Sequence, residues 1–402
     1  APRRISFDPP KRGNGTWSFA DGSKDLAFES IERFNRVERL AIAGEAAQDG
    51  RPLVKVFDAE TKELLFQFFA YEEDFRDGVR VATGDVDGDG IPDTVVALGR
   101  LHEPLVKMFD GLGPAAIPAA AADVNETGMI EGDDFLKTQR NMGATQSPED
   151  AVSSWEQNYG GAVAEAISQA SSDAFKLAEF LAYDEDFIGG VALAVGDVTG
   201  DAVNDVVVAP SRGPSEVRVF ENVGFSSSFD LFDAFLAYPT SFIGGAAVAV
   251  GDLTGDGLGD IVTSTGSGSY VNIRVFDGQD LQTVESGMPI EDFVAFDDSV
   301  RGGSFVAVGN VVGDFTADIV LGGGAYADSR VQVFDGANLP AAGTQFASPD
   351  LEYRLTISPE ENHRAPVRIA IKDYDLDGVA DTVFGAQGAD GEAQWLREFS
   401  PL

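Results

Sequence analysis

Cysteine is absent from this chain of 402 residues, and histidine occurs only twice. The first absence excludes disulfides, thiolate metal sites and cysteine nucleophiles. The second leaves little room for imidazole chemistry. His102 sits beside Glu103 and Pro104, and His363 beside Arg364, with neither zinc-motif spacing nor a nucleophile partner. Positive charge is also scarce: 28 Lys plus Arg stand against 67 Asp plus Glu, a formal net charge of −39. That balance excludes a general basic field for nucleic acid or for an anionic membrane. No apolar run reaches the roughly 18 residues of a membrane span, and no signal peptide is visible. Glycine-rich stretches such as Gly322-Gly323-Gly324 fall in turns between strands, not at a strand-to-helix junction, which argues against a phosphate cradle.

What the chain has in quantity is apolar residues, 44% of the total, and carboxylates. The first supports a core and the second favours cationic partners, calcium before others. The clearest pattern is Asp85-Val86-Asp87-Gly88-Asp89-Gly90-Ile91-Pro92-Asp93, set between the apolar runs at 79–82 and 94–97. Carboxylates at positions 1, 3, 5 and 9, with glycine at 6, converge on one point and suit a hard cation. The residue at position 7 supplies a backbone carbonyl. The predicted ligand set is therefore Asp85, Asp87, Asp89, Ile91 and Asp93.

The pattern recurs. Further loops give Asp197, Thr199, Asp201, Val203 and Asp205, then Asp252, Thr254, Asp256, Leu258 and Asp260, and last Asp373, Asp375, Asp377, Val379 and Asp381. Ala202 replaces the position-6 glycine in the loop at 197. A loop from Asn310 to Asp318 has Val312 at position 3 and Phe315 at position 6, and is expected to be empty or weak. Sites of extracellular affinity, about 10⁻⁴ to 10⁻³ M, stay unfilled in the cytosol, so the array predicts a location outside the cell, at its surface or in the periplasm, with Ala1 suiting a mature N-terminus.

Loop starts at 197, 252, 310 and 373 are 55, 58 and 63 residues apart, a period that fits one four-stranded blade. The fourth strand of each unit is an aromatic segment, as at Phe66 to Tyr71, Phe180 to Tyr183, Phe235 to Tyr238 and Phe293 to Phe296. Glycine pairs follow, as in Phe187-Ile188-Gly189-Gly190 and Phe242-Ile243-Gly244-Gly245, and predict a tight approach to an innermost strand. Units such as Val248-Ala249-Val250-Gly251-Asp252-Leu253-Thr254-Gly255-Asp256-Gly257-Leu258-Gly259-Asp260-Ile261-Val262 resemble the FG-GAP repeat of integrin alpha-subunit propellers and of many secreted bacterial proteins. The resemblance implies a β-propeller with calcium in the loop joining the first two strands of a blade.

The expected fold is thus mostly β: a six-bladed β-propeller of four-stranded blades carrying a small α-helical insert. Its parts are an N-terminal arm at 1–15, propeller at 16–111, insert at 112–172 and propeller again at 173–402. Residues 26 to 71 are read as the blade without a loop. The last blade is expected to be completed by a segment near Trp17-Ser18-Phe19-Ala20 or Ile5-Ser6-Phe7. In the insert, Asp123, Asn125, Thr127, Met129 and Asp134 occupy positions 1, 3, 5, 7 and 12 of an EF-hand-like loop, with helices expected at Asp134 to Asn141 and after Ser147-Pro148-Glu149. With Phe135-Leu136-Lys137 and Trp155-Glu156-Gln157-Asn158-Tyr159-Gly160, the insert resembles the dockerin-type repeats of planctomycete secreted proteins, although no second acidic loop is present.

Strand alternation puts the acidic loops and the insert on one face of such a propeller. The opposite face offers Arg100, Arg212, Tyr270, Tyr326 and Arg330 as candidate contacts. The reading is a secreted, calcium-binding, non-catalytic component for cell-surface binding, adhesion or structure. Its partners would be a glycan, a surface protein or a second copy docked through the basic arm with Arg3, Arg4, Lys11 and Arg12, a head-to-tail contact that would build filaments or layers. A carbohydrate-binding lectin and an extracellular hydrolase or lyase remain open as alternatives.

Overall fold

The computed structural model describes residues 14–17, 26–29, 39–43, 52–58, 64–75, 78–99, 102–113, 172–222, 228–282, 287–314, 316–325, 330–354, 366–372, 381–387 and 393–399. The chain divides into two compact units, 1–37 and 38–402. In the first, β1 (Asn14–Trp17) pairs antiparallel with β2 (Leu26–Glu29).

The second unit is a row of antiparallel sheets. A three-stranded sheet of β3 (Arg39–Ala43), β4 (Leu53–Asp58) and β5 (Leu64–Phe69) comes first. Four complete blades follow. They are β6–β9 (Val79–Gly84, Asp93–Leu98, Leu105–Phe109, Lys176–Leu181) and β10–β13 (Val191–Gly196, Asp205–Pro210, Glu216–Asn222, Phe229–Leu236). Next come β14–β17 (Ala246–Gly251, Asp260–Thr265, Val271–Phe276, Glu291–Ala295) and β18–β21 (Gly302–Gly309, Asp318–Ala325, Arg330–Phe334, Leu351–Arg354). A second three-stranded sheet, β22–β24 (Val367–Lys372, Asp381–Gln387, Ala393–Phe399), ends the series. The first strand of each sheet lies beside the first strand of the next, which makes the arrangement a β-propeller.

The expectation of six four-stranded blades is corrected: among the described residues four sheets have four strands and two have three. The reason at the start is local, since Leu26–Glu29, read as a strand of the loopless blade, pairs with β1 instead. Trp17 is likewise engaged with Leu26 rather than closing the last blade, and 5–7 lies outside the described residues. The insert's helices and its candidate ligands Asp123, Asn125, Thr127, Met129 and Asp134 also lie outside them, and no α-helix is present among the described residues. In chain order the expected insert, 112–172, falls between β8 and β9, the third and fourth strands of one blade, and its residues 114–171 lie outside the described ones. No described helix is long and apolar enough to cross a membrane.

Burial follows the strand order. β7, β11 and β15 are buried at every residue, as near-continuous apolar runs with sheets on both sides should be. Between successive sheets the side chains form layers, such as Phe68, Phe109 and Phe175 with Val54 and Val56, and Ile273, Phe293 and Phe334 with Ile319. Each such side chain contributes about 1.5–3 kcal/mol by leaving water. At the ends of the innermost strands, a Cβ on Gly84, Gly196 or Gly251 would collide with Val195, Val250 or Val308 of the next sheet, so glycine sets the approach of adjacent sheets.

The aromatic residue after each outer strand fastens its sheet to the one that follows in sequence. The Tyr71 hydroxyl is 2.9 Å from the carbonyls of Val96 and Leu105, Tyr183 donates to Glu216 at 2.7 Å, and Tyr238 donates to Asn272 at 2.7 Å. A cation from the same receiving blade covers each ring: Lys107 at 4.8 Å, Arg218 at 4.7 Å and Arg274 at 5.2 Å. Phe296 has no hydroxyl, and there Arg330 lies over the ring at 5.5 Å and pairs with Asp297 at 2.8 Å. Tyr238→Phe leaves the Asn272 carbonyl and the Thr263 hydroxyl, which donates to Tyr238 at 3.1 Å, without that partner. The expected cost is about 1–2 kcal/mol, read as a lower urea midpoint at unchanged slope. An unmoved midpoint would show the hydroxyl to be idle.

Candidate metal sites

The acidic loops share one hydrogen-bond plan, in which the position-1 aspartate organises the turn. Asp85 accepts from the N–H groups of Gly88 at 2.7 Å and Gly90 at 2.9 Å. Asp197 takes Gly200 at 2.6 Å and Ala202 at 2.9 Å, and Asp252 takes Gly255 at 2.6 Å and Gly257 at 3.0 Å. Position 5 then accepts the N–H of position 7: Ile91 on Asp89 at 2.7 Å, Val203 on Asp201 and Leu258 on Asp256, each at 2.9 Å. Position 6 has φ of 86° at Gly90 and 92° at Gly257, but 70° at Ala202, where a Cβ resists that conformation. Ala202→Gly is expected to stabilise the protein by about 0.5–1 kcal/mol, measurable as a higher melting temperature. A drop in stability would show the strain to be absent.

Position 9 has a second task beside the one its spacing suggests. Asp93, Asp205, Asp260 and Asp318 are at most 1% exposed and bind backbone N–H groups at the start of their own loops. In three blades the other carboxylate oxygen takes a glycine N–H beyond the third strand: Gly111 at 2.9 Å, Gly278 at 3.1 Å and Gly336 at 3.0 Å. A Cβ on Gly111 would fall on the carbonyl oxygen of Pro92, and one on Gly336 on that of Ala317, so only glycine fits. Blade β10–β13 has Asn222 at the corresponding place, and its Nδ2 donates to the Val86 carbonyl at 2.7 Å. Successive loops are also tied by backbone bonds, Asn204 N–H to the Asp85 carbonyl at 2.9 Å and Gly259 N–H to that of Asp197 at 2.7 Å.

Asp85, Asp87 and Asp89 each bring one carboxylate oxygen within 4.8 Å of the others. Ligands held at about 2.3–2.6 Å around one calcium ion span up to twice that radius, so the three fit such an ion. Asp93 stands outside that group, buried as the latch. The loops at 197 and 252, with Thr199 and Thr254 at position 3, form no three-carboxylate group of this closeness among the described residues. The loop expected to be weak does form one, from Asp314, Asp318 and Asp335. Asp373, Asp375, Asp377 and Val379 lie outside the described residues, and Asp381 opens β23.

Crowding of carboxylates shows in their titration. Burial, then the charge of Asp87, pushes Asp93 up to about 9 against the hydrogen bonds of Gly111 and Val86. Burial, then Asp87 again, pushes Asp89 up to about 7, and burial raises Asp205 to about 7 and Asp260 to about 6. Asp87 and Asp318 are raised from the same first cause. These are sites short of positive charge.

The aspartate of the Phe-Asp-Gly segment that ends the third strand was not read as part of a site. Yet Asp110 raises Asp87 and Asp89, Asp277 raises Asp260, and Asp335 joins the last cluster. The signal was available in the recurrence of Phe109-Asp110-Gly111, Phe276-Asp277-Gly278 and Phe334-Asp335-Gly336. On the opposite face Arg330 is only 5% exposed and spent on Asp297, which removes it as a free contact. Tyr270 is stacked under Arg301 at 3.5 Å and edge-on to Phe346 at 5.4 Å, and Arg100 and Tyr326 lie outside the described residues. The His102 ring packs on Phe75, with centroids 4.4 Å apart.

Four-stranded antiparallel blades in series, each with an acidic turn between its first two strands, define a β-propeller. A family model described as an FG-GAP-like repeat matches residues 189–263, which span β10, its acidic loop and the next blade as far as β15. Among solved structures, "Structure of Dos1 propeller" is similar at 12% identity and a TM-score of 0.41, covering 90% of this chain and 68% of that one. "Crystal Structure of Mitotic Checkpoint Complex" is similar at 11% identity and a TM-score of 0.40, covering 96% and 81%. Likeness at that level carries no argument, and the fold assignment rests on the sheets themselves. A search of curated protein sequences gives no significant match.

Proposed function

We propose that this chain is a calcium-stabilised β-propeller with a non-catalytic binding or structural role outside the cell. The observation that carries the reading is the convergence of Asp85, Asp87 and Asp89 within 4.8 Å in a loop whose backbone is already folded around them. Four-stranded blades and the FG-GAP-like match at 189–263 support a scaffold role of this kind. The Asp85 site would be held by Asp85, Asp87 and Asp89, with Asp110 adding charge, and the site at the fourth blade by Asp314, Asp318 and Asp335. Calcium there cancels like-charge repulsion and pins the hairpin; it needs no further chemistry. Titration of the chelator-treated protein with calcium chloride by calorimetry tests the reading. Binding is expected at up to about 1 mM, with one site lost in Asp87→Asn. Absence of heat and of any thermal shift at about 10 mM calcium, well above extracellular affinities, would overturn it.

A further inference from the structure

The outer strands of successive blades occupy equivalent positions, and their free edges are treated unequally. Pairing aligns Phe293 of β17 with Ile273, Phe235 of β13 with Val217, and Phe180 of β9 with Val106. Val294, Leu236 and Leu181 are therefore the same position in three blades. At β17 the chain covers the edge itself. Residues 343–347 run parallel to it through the Phe293–Thr344 bridge. Val294 N–H donates to the Thr344 carbonyl at 2.9 Å, Ala347 N–H to the Val294 carbonyl at 2.7 Å, and Gly343 N–H to the Asp292 carbonyl at 2.6 Å. Val294 is 5% exposed as a result. The edge of β5 is met in a similar way, with Ser172 donating to the Phe69 carbonyl at 2.8 Å and Phe69 4% exposed.

No described segment does this for β13. Among the described residues the strand pairs only with β12, Leu236 is 41% exposed and Leu231 51%. It is eight residues long, against five for β17, so it offers more backbone than the edge the chain covers. None of the devices that blunt an edge lies at its open end: Ala234, Phe235 and Leu236 are regular, and the bulge falls opposite Val219 and Phe220. β13 itself carries charge of one sign, and Arg218, beside Ala234 on β12, is paired with Glu216 at 2.6 Å and lies over Tyr183. Asp230 is exposed on β13, and no Lys or Arg occurs between Arg218 and Arg274.

We propose that the edge of β13 is a docking site for an extended peptide strand of a partner protein in which Lys or Arg alternates with apolar residues. The strand adds parallel to β13 as residues 343–347 add to β17, with its carbonyl on the Leu236 N–H, its N–H groups on the Ala234 and Leu236 carbonyls, and its apolar side chains over Leu236 and Leu231. Its basic side chains face Asp230. A second copy pairing β13 with β13 would set Asp230 and Asp233 of two strongly acidic chains together, which disfavours that occupant. The site is independent of the calcium loops and stands whether or not they bind metal.

The test uses the full chain in saturating calcium, with a fluorescent peptide of alternating lysine and valine as the probe. Two controls carry the decision: the same peptide N-methylated at alternate residues, which keeps the charge but not the N–H groups, and the variant Leu236→Pro, which removes the outward N–H from an edge strand that tolerates it. Binding by anisotropy is expected to weaken at least tenfold in either control, and severalfold in Asp230→Lys. Leu236→Pro should keep the wild-type melting curve; if it does not, Leu236→Lys with the N-methylated peptide decides. Equal binding in all cases would mean adhesion of a cation to an acidic body and would overturn the proposal. Dimerisation of the wild type that Leu236→Pro abolishes would overturn it in favour of a second copy.

Discussion

Removing divalent cations with excess chelator is expected to lower the melting temperature by on the order of 10 °C. Two sites each held at about 100 times their dissociation constant contribute about 5 kcal/mol together, and a large unit shifts by about 2 °C per kcal/mol. The same experiment has a pH signature. In the metal-free protein Asp93 titrates near 9, Asp89 and Asp205 near 7, and Asp260 near 6, all above an unfolded carboxyl. The folded state therefore binds more protons than the unfolded state from about pH 4 upward, and stability falls as pH rises through that window. Calcium at the Asp85 site takes the place of the protons on Asp89 and Asp93, so that part of the slope should flatten when it saturates the loop, while the part set by Asp205 and Asp260 remains. A melting temperature that ignores both chelator and pH would remove the metal from this account.

The second large effect separates latch from ligand. Asp260 holds three backbone N–H groups, those of Leu253 at 2.7 Å, Thr254 at 2.9 Å and Gly278 at 3.1 Å, in a place with no exposure. Asp260→Ala leaves the Leu253 and Gly278 N–H groups buried and unpaired at about 1–3 kcal/mol each, and that of Thr254 partly so, for an expected loss of about 3–5 kcal/mol, in calcium and in chelator alike. Asp87→Ala, by contrast, should cost stability only when calcium is present. Urea melts of both variants with and without calcium decide it. Asp260→Ala destabilising only with calcium would make Asp260 a ligand as well, as Asp318 is proposed to be in the fourth blade.

The acidic turns were legible because their constraint is local. Asp85, Gly90 and Ile91 lie within one turn, and the spacing alone fixes which oxygens meet. The role of Asp93 was not legible, since the glycine N–H that claims it is 18 residues away and arrives only when the third strand folds back. Asp110 was missed for the same reason. Periodicity gave the four-stranded unit, yet it does not say which chain segment pairs with which: Leu26–Glu29 has the pattern of a blade strand and pairs with β1. The cover that 343–347 gives to β17 has no pattern of its own, being a loop in composition that meets the edge through one bridge and its neighbouring backbone hydrogen bonds.

Each aromatic fastener points the same way along the chain. Tyr71, Tyr183 and Tyr238 close onto the sheet whose residues come later in the sequence, at separations of 25 to 34 residues from the groups that receive them. On a ribosome delivering about 5–20 residues per second, the groups that receive a hook follow it within several seconds, although the insert delays completion of the blade that receives Tyr71. Growth from the N-terminus is then a ratchet: every blade begins by capturing its predecessor. The blade β6–β9 is the one whose last strand is made only after residues 112–172, so its closure comes latest relative to its own first strand.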